Sequence, residues 1–175
     1  NQIDKICNIE FHPGSGHSRG FTDALYESAR RAQGEPLTYL AAKRLMEVVH
    51  RGESVLIVTG TGIDQWVPEG ETDGPIGCAA LARALNRAFD SKAVVTCEDA
   101  MVKPMRATLM AAGEYVYTEE LFFKLKDKTT IVEPFPLGKE AGRKRAVELI
   151  EKYKPVAVIF IERLGPNEEG IIHFV

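Results

Sequence analysis

The sequence predicts an α/β fold: a three-layer, Rossmann-like arrangement with a mainly parallel sheet flanked by helices, preceded by a helical N-terminal lead-in. Three observations carry this. The apolar runs Val55–Val58, Ala93–Val95 and Val156–Ile161 are nearly continuous, not alternating, as in strands buried on both faces. They alternate with stretches of helical periodicity, which implies parallel strands joined by crossover helices. The chain of 175 residues fits one domain, and its 45% hydrophobic share is ordinary for a packed core.

The elements follow in order. Residues 1–50 form the lead-in, with residues 11–20 read as loop from their Gly and Pro content. A short helix is expected over residues 21–32. A clearer one runs from Glu35 to His50, where Leu37, Leu40, Ala41, Leu45 and Val48 recur at helical spacing before Gly52 stops it. Ser54–Thr59 is the first strand. Residues 59–77 then make a loop far longer than the usual βα connection of about 2–6 residues. Asp73 or Thr72 can cap the next helix and Pro75 suits its first turn. Its buried face is read as Ile76, Ala79, Ala80, Leu85 and Ala88. Ala93–Thr96 is the second strand. Met101, Met105, Leu109 and Ala112 mark a helix that stops at Gly113. Tyr115–Tyr117 is expected as a short strand, Glu119–Lys126 as a short helix and Thr130–Glu133 as the third main strand. Gly142, Ala146, Leu149, Ile150 and Tyr153 share a helix face, and Pro155–Ile161 is the fourth strand.

Composition narrows the function classes. A net charge of −3 and a pI near 5.9 argue against a nucleic-acid footprint, which needs a clustered basic surface. The one basic cluster, Lys139 with Arg143, Lys144 and Arg145, reads as the solvated face of a helix. Cys7, Cys78 and Cys97 are odd in number, form no CxxC and suggest a reducing, cytoplasmic compartment. Cys78 reads as core, and Cys97 as a small buried residue at a strand end. No apolar run approaches the roughly 20 residues of a membrane helix. The expected partner is a small acidic molecule, with no nucleic acid and no membrane, and a homo-oligomer is compatible. The strand-like run Ile171–Val175 at the end of the chain leads us to expect one α/β domain, truncated or incomplete at its C-terminus.

The candidate site lies in the long loop. In an open parallel sheet, ligands bind beyond the carboxyl ends of the strands. The loop brings backbone amides at Gly60 and Gly62, hydroxyls at Thr59, Thr61 and Thr72, and acids at Asp64, Glu69, Glu71 and Asp73. Gly60-Thr61-Gly62 is not the dinucleotide fingerprint, because position 65 is Gln and the helix starts about a dozen residues later. Glu71-Thr72-Asp73-Gly74 at a helix N-terminus combines carboxylates with free amides, which suits a zwitterionic ligand. The bland reading, that Thr72 and Asp73 only start the helix, accounts for one of them. Glu162-Arg163 ends the last strand at the same sheet edge. It reads equally as a carboxylate-binding Arg or as a structural group, either an internal ion pair at the strand end or a contact to further chain. Trp66 is either a lid or a loop anchor. His12 and His17 lack companion ligands for zinc, so no metal site is predicted. Ser15, Ser18 and Arg19, with the neighbouring glycine amides, suit an anion better.

Three motifs carry a resemblance. Val58-Thr59-Gly60 followed by Glu69-Gly70-Glu71-Thr72-Asp73-Gly74-Pro75-Ile76-Gly77 resembles the ETDGPxG signature of the D-glutamate cyclase C-terminal-like family. Pro13-Gly14-Ser15-Gly16-His17-Ser18-Arg19-Gly20 is similar to its PGNRG-type loop, though extended, and Ile161-Glu162-Arg163-Leu164-Gly165 to its IER-x-G motif. The family pattern continues into a GDGGNE-type segment, before which this chain stops.

The resemblance implies a lyase that interconverts D-glutamate and 5-oxo-D-proline plus water, or acts on a related acidic amino acid or lactam, with no cofactor. Glu71 and Asp73, backed by Glu162, are then the acid–base candidates. Amides near Gly60 and Gly62 would stabilise the oxyanion, and Arg163 or Arg19 would hold the α-carboxylate. Thr59, Thr61, Thr72, Gly74 and Ser15 complete the expected binding set. The alternative is a non-catalytic domain that binds a nucleotide or an acidic metabolite. A third reading is phosphoryl chemistry, with phosphate held by the His12–Arg19 loop.

Overall fold

The computed structural model describes residues 2–9, 20–60, 70–163 and 165–171. The chain divides into two compact units, one over residues 1–48 and one over residues 49–174. In the first unit, α1 (Gln2–Cys7), α2 (Phe21–Gln33) and α3 (Leu37–Val48) meet at one side chain. Asp4 is fully buried and accepts hydrogen bonds from Tyr26 Oη (2.5 Å), the Leu37 and Thr38 amides (2.8 and 3.2 Å) and the Thr38 hydroxyl. The carboxylate thus takes up amides that the first turn of α3 leaves without intrahelical partners. The hydrogen bonds from Thr38 and Tyr26 hold the Asp4 carboxyl down to about 2, against the opposing effect of desolvation. The expected loop over residues 11–20 lies outside the described residues except for Gly20.

The second unit holds β1 (Ser54–Thr59), α4 (Asp73–Phe89), β2 (Lys92–Glu98), α5 (Asp99–Ala111), α6 (Glu119–Lys124), β3 (Thr129–Phe135), α7 (Lys139–Tyr153) and β4 (Ala157–Ile161). The strands form one parallel sheet in the order β3-β2-β1-β4. The chain steps outward from β1 to β3 and returns by α7 to the other side of β1. Strand order therefore reverses between β1 and β4, and Thr59 pairs with Ile161 at that seam. Successive strand residues point to opposite faces. Leu56, Val94 and Ile131 pack with Phe122 of α6 and with Leu149 and Tyr153 of α7. The other face carries Val55, Ile57, Ala93 and Val95 under α4 and α5. The fold is thus the three-layer α/β arrangement that the alternating pattern predicts.

Lys92 is nearly buried, yet its Nζ donates to the Phe122 and Leu125 carbonyls (2.9 and 2.6 Å), so its charge satisfies the C-terminal end of α6. Four expectations are corrected. Tyr115–Tyr117 is not a strand but a single bridge from Val116 to Thr130. β4 is not buried on both faces: Val158 is 44% and Phe160 65% exposed, because β4 is the edge of the sheet. The buried face of α4 is Gly74, Pro75, Cys78, Ala79, Ala82, Leu85 and Asn86, while Ile76 is 61% exposed and Ala80 and Ala88 are exposed. Alanines on all sides of that helix blur its periodicity. Arg145 does not share the solvated face of Lys139, Arg143 and Lys144, because it pairs with the buried Glu133. Among the described residues no helix is long and apolar enough to cross a membrane.

Candidate functional site

Three strands deliver polar residues to the carboxyl edge at the β1/β4 seam: Thr59 and Gly60 from β1, Glu98 from β2, and Glu162 with Arg163 from β4. α4 brings its N-terminus to the same seam, and two glycines one helical turn apart make this possible. A Cβ at Gly77 would stand 3.3 Å from Ile161 Cγ2. A Cβ at Gly74 would stand 2.8 Å from Thr59 Oγ1 and 3.1 Å from Glu162 Cβ. Larger residues would hold the helix away from the strand ends. The ETDGPxG run is therefore a docking face as well as a set of functional groups.

The consequence is a cluster of carboxylates. Oxygens of Glu71, Asp73 and Glu162 all lie within 4.8 Å of one another, although Glu162 follows β4, far along the chain. Glu162 adopts φ 46°, in the left-handed region that non-glycine residues seldom enter. Asp73 Oδ1 accepts from the Gly74 amide at 3.0 Å. Thr72 occupies the N-cap position but its side chain makes no capping bond, and it is exposed. Capping thus accounts for neither residue in the usual way.

Beside the carboxylates, Arg163 Nη1 donates to Gly60 O (2.5 Å) and forms an ion pair with Glu98 Oε1. The partner of Arg163 is thus Glu98 and not its neighbour Glu162. Gly60 is required twice over. Its φ is 106°, and a Cβ there would meet Glu98 Oε2 at 2.5 Å and Met101 Sδ at 2.8 Å. Two polar atoms at this edge, Thr59 Oγ1 and Glu98 Oε2, are buried with no hydrogen-bond partner among the described residues.

A cavity of about 370 Å³ opens here, lined by Thr59, Thr96, Glu98, Phe135, Phe160 and Arg163 among others. Glu71 and Thr72 line a separate hollow of about 200 Å³ against Pro104 and Thr108 of α5. The acid cluster does not line the larger cavity. The two are linked by Thr59 and by the adjacent residues Glu162 and Arg163. Cys97 lines the larger cavity too, but burial pushes its thiol up to about 12, with the Glu98 charge adding to the effect. It is protonated at neutral pH and is no thiolate nucleophile. Burial raises Cys78 likewise, to about 12.

The structure thus brings together Thr59, Gly60, Glu71, Thr72, Asp73, Gly74, Glu162 and Arg163. Thr61, Gly62, Ser15 and Arg19 lie outside the described residues, as do Asp64, Trp66 and the His12–His17 loop. Sequence reasoning missed Glu98. It ends the apolar run of β2, so the strand-end rule that selected Thr59 and Glu162 would have selected it as well.

A family model described as D-glutamate cyclase-like, C-terminal, matches residues 14–174. No curated protein and no solved structure gives a match.

Proposed function

The chain belongs to the D-glutamate cyclase-like, C-terminal family, and from that premise we propose that it interconverts D-glutamate, or a close acidic analogue, with its five-membered lactam and water. In the forward direction the substrate ammonium loses a proton and its nitrogen attacks the side-chain carboxyl carbon. The C–N bond forms, the C–OH bond breaks, and the carboxyl oxygen leaves as water. This needs one group to take the amine proton and another to protonate the departing hydroxyl. The observation that carries the reading is the meeting of Glu71, Asp73 and Glu162 within 4.8 Å at the point where strand order reverses.

Asp73 and Glu71 are assigned the proton transfers, and Glu162 opposes them across the seam. Asp73 and Glu162 are exposed and Glu71 is half-buried, so they can meet a charged substrate without a large desolvation cost. Thr59 Oγ1, a donor without a partner among the described residues, supports a role in holding a substrate oxygen. Arg163 lines the cavity, with one guanidinium nitrogen already engaged by Glu98 and Gly60.

The test is formation of 5-oxoproline from D-glutamate by the full-length protein, with the reverse hydrolysis measured in parallel. Turnover that falls at least 100-fold in Asp73→Asn, with little change in melting temperature, is the expected outcome. Absence of turnover in both directions, together with a nucleotide carried through purification and identified by mass spectrometry, would favour the binding-domain reading instead.

A further inference from the structure

We propose that Glu98 is a positioning residue of the seam: it reaches across the end of β1, anchors Arg163, and so fixes the turn after β4 that presents Glu162. The inference rests on the lactam reading for its kinetic consequence and on geometry alone for its structural one.

The strand order sets the problem. Glu98 ends β2 and Arg163 follows β4, and these two strands flank β1 on opposite sides. Two strand spacings, about 9–10 Å, separate them. The Glu98 carboxylate nevertheless pairs with Arg163 Nη1, which also donates to Gly60 O at 2.5 Å. The two side chains meet at Gly60, the residue after β1. A Cβ there would stand 2.5 Å from Glu98 Oε2, so the missing side chain leaves the carboxylate its path. One guanidinium nitrogen thereby ties the ends of three strands together.

What Glu98 does not do narrows its role. It holds the N-cap position of α5, yet its side chain makes no capping bond. Capping favours Asp, Asn, Ser or Thr. Its Oε2 is buried and has no hydrogen-bond partner among the described residues. A buried ion pair is a weak source of stability compared with packed apolar side chains. What this pair does supply is position. Glu162, next to the anchored Arg163, stands at φ 46°, and such a conformation persists only where its surroundings over-determine it. From there its carboxylate comes within 4.8 Å of those of Glu71 and Asp73. The Arg163 anchor is one such constraint, and Glu98 sets it by its length.

The test compares Glu98→Asp, which keeps the charge and loses one methylene of reach, with Glu98→Gln, which keeps the reach and loses the charge. All assays use the full chain, well below each variant's melting temperature. In Glu98→Asp the shortened carboxylate can turn to cap α5 instead. Its kcat for 5-oxoproline formation should fall at least tenfold, with KM within about threefold of wild type. Glu98→Gln should retain more of kcat than Glu98→Asp. In an Arg163→Ala background, Glu98→Gln should leave kcat unchanged, because a residue that acts through Arg163 has nothing left to position. Without substrate, ¹⁵N relaxation should show order parameters at Glu162 and Arg163 falling relative to Val58 and Thr59 in Glu98→Asp, and held in Glu98→Gln. A greater loss of kcat in Glu98→Gln than in Glu98→Asp would assign the effect to charge and overturn the proposal. So would a further fall in kcat in the Arg163→Ala background, or unmoved order parameters in Glu98→Asp. If the wild type forms no 5-oxoproline, the lactam reading fails, and the order parameters alone decide the part given to Glu98.

Discussion

Three residues at the seam separate function from folding. Asp73 is the first residue of α4 and not its N-cap, so Asp73→Asn removes an exposed charge near the helix N-terminus and should cost no more than about 0.3–1 kcal/mol. It should still abolish the acid limb of the pH–rate profile if Asp73 is the base, and keep the limb if Asp73 only binds the substrate amine. Gly74→Ala should do the reverse of a clean functional change. Its Cβ would meet Thr59 Oγ1 at 2.8 Å, so α4 must shift, at a cost of about 1–3 kcal/mol by the usual penalty for overpacking. Thermal melting and turnover should fall together. Arg163→Ala removes the partner of a mostly buried Glu98 and a donor to Gly60 O. We expect a loss of about 2 kcal/mol, in the range for hydrogen bonds to charged groups, read from the denaturant midpoint. Arg163→Lys should recover only part of it, because an ammonium cannot reproduce the guanidinium fork.

At the scale of elements, two buried carboxylates anchor helices and set the acid sensitivity of their units. Glu133 of β3 accepts hydrogen bonds from Tyr153 and Lys152 of α7, the latter at 3.0 Å, and pairs with Arg145. Burial pushes its carboxyl up, but the bonds from Tyr153 and Lys152 and the nearby positive charges outweigh this, and the net shift is downward. A lowered folded-state value means that the stabilisation is fully present above the ordinary glutamate value of 4.5 and is lost as pH falls through the lower folded value. Tyr153→Phe should cost about 1–3 kcal/mol at neutral pH, the penalty for removing a partner from a buried group. Urea melts at neutral pH and in the acid range should show that cost shrinking as Glu133 protonates. Asp4 works the same way in the N-terminal unit. Its carboxyl is held at about 2 against an ordinary 3.8, so the contacts among α1, α2 and α3 should loosen between about pH 4 and pH 2. Asp4→Asn should bring the same loosening to neutral pH, visible as faster amide exchange in α3.

For the whole molecule, the α/β class, all four strands and the main helices were legible, because continuous apolar runs alternate with helical periodicity. The edge position of β4 was not, since Val156–Ile161 is as apolar as a central strand and nothing local reports that one neighbour is missing. The meeting of Glu71 and Asp73 with Glu162 followed from one rule about strand ends. The same rule, applied to the end of β2, would have selected Glu98, but not its pairing with Arg163. Its role appears only when β2 is placed next to β1. The central claim is that ligand binds at the β1/β4 seam, and the structure offers a rival. A cavity of about 460 Å³, lined by Asn86, Arg87, Glu114, Tyr115 and Lys128, opens at the amino end of the sheet. Titration of the ¹⁵N-labelled protein with 5-oxo-D-proline, followed by amide NMR shifts, decides between them. We predict saturable shifts at Gly60, Glu71, Asp73, Gly74, Glu162 and Arg163. Shifts confined to Asn86, Gly113, Glu114, Tyr115 and Lys128, with the seam amides unmoved, would contradict the claim.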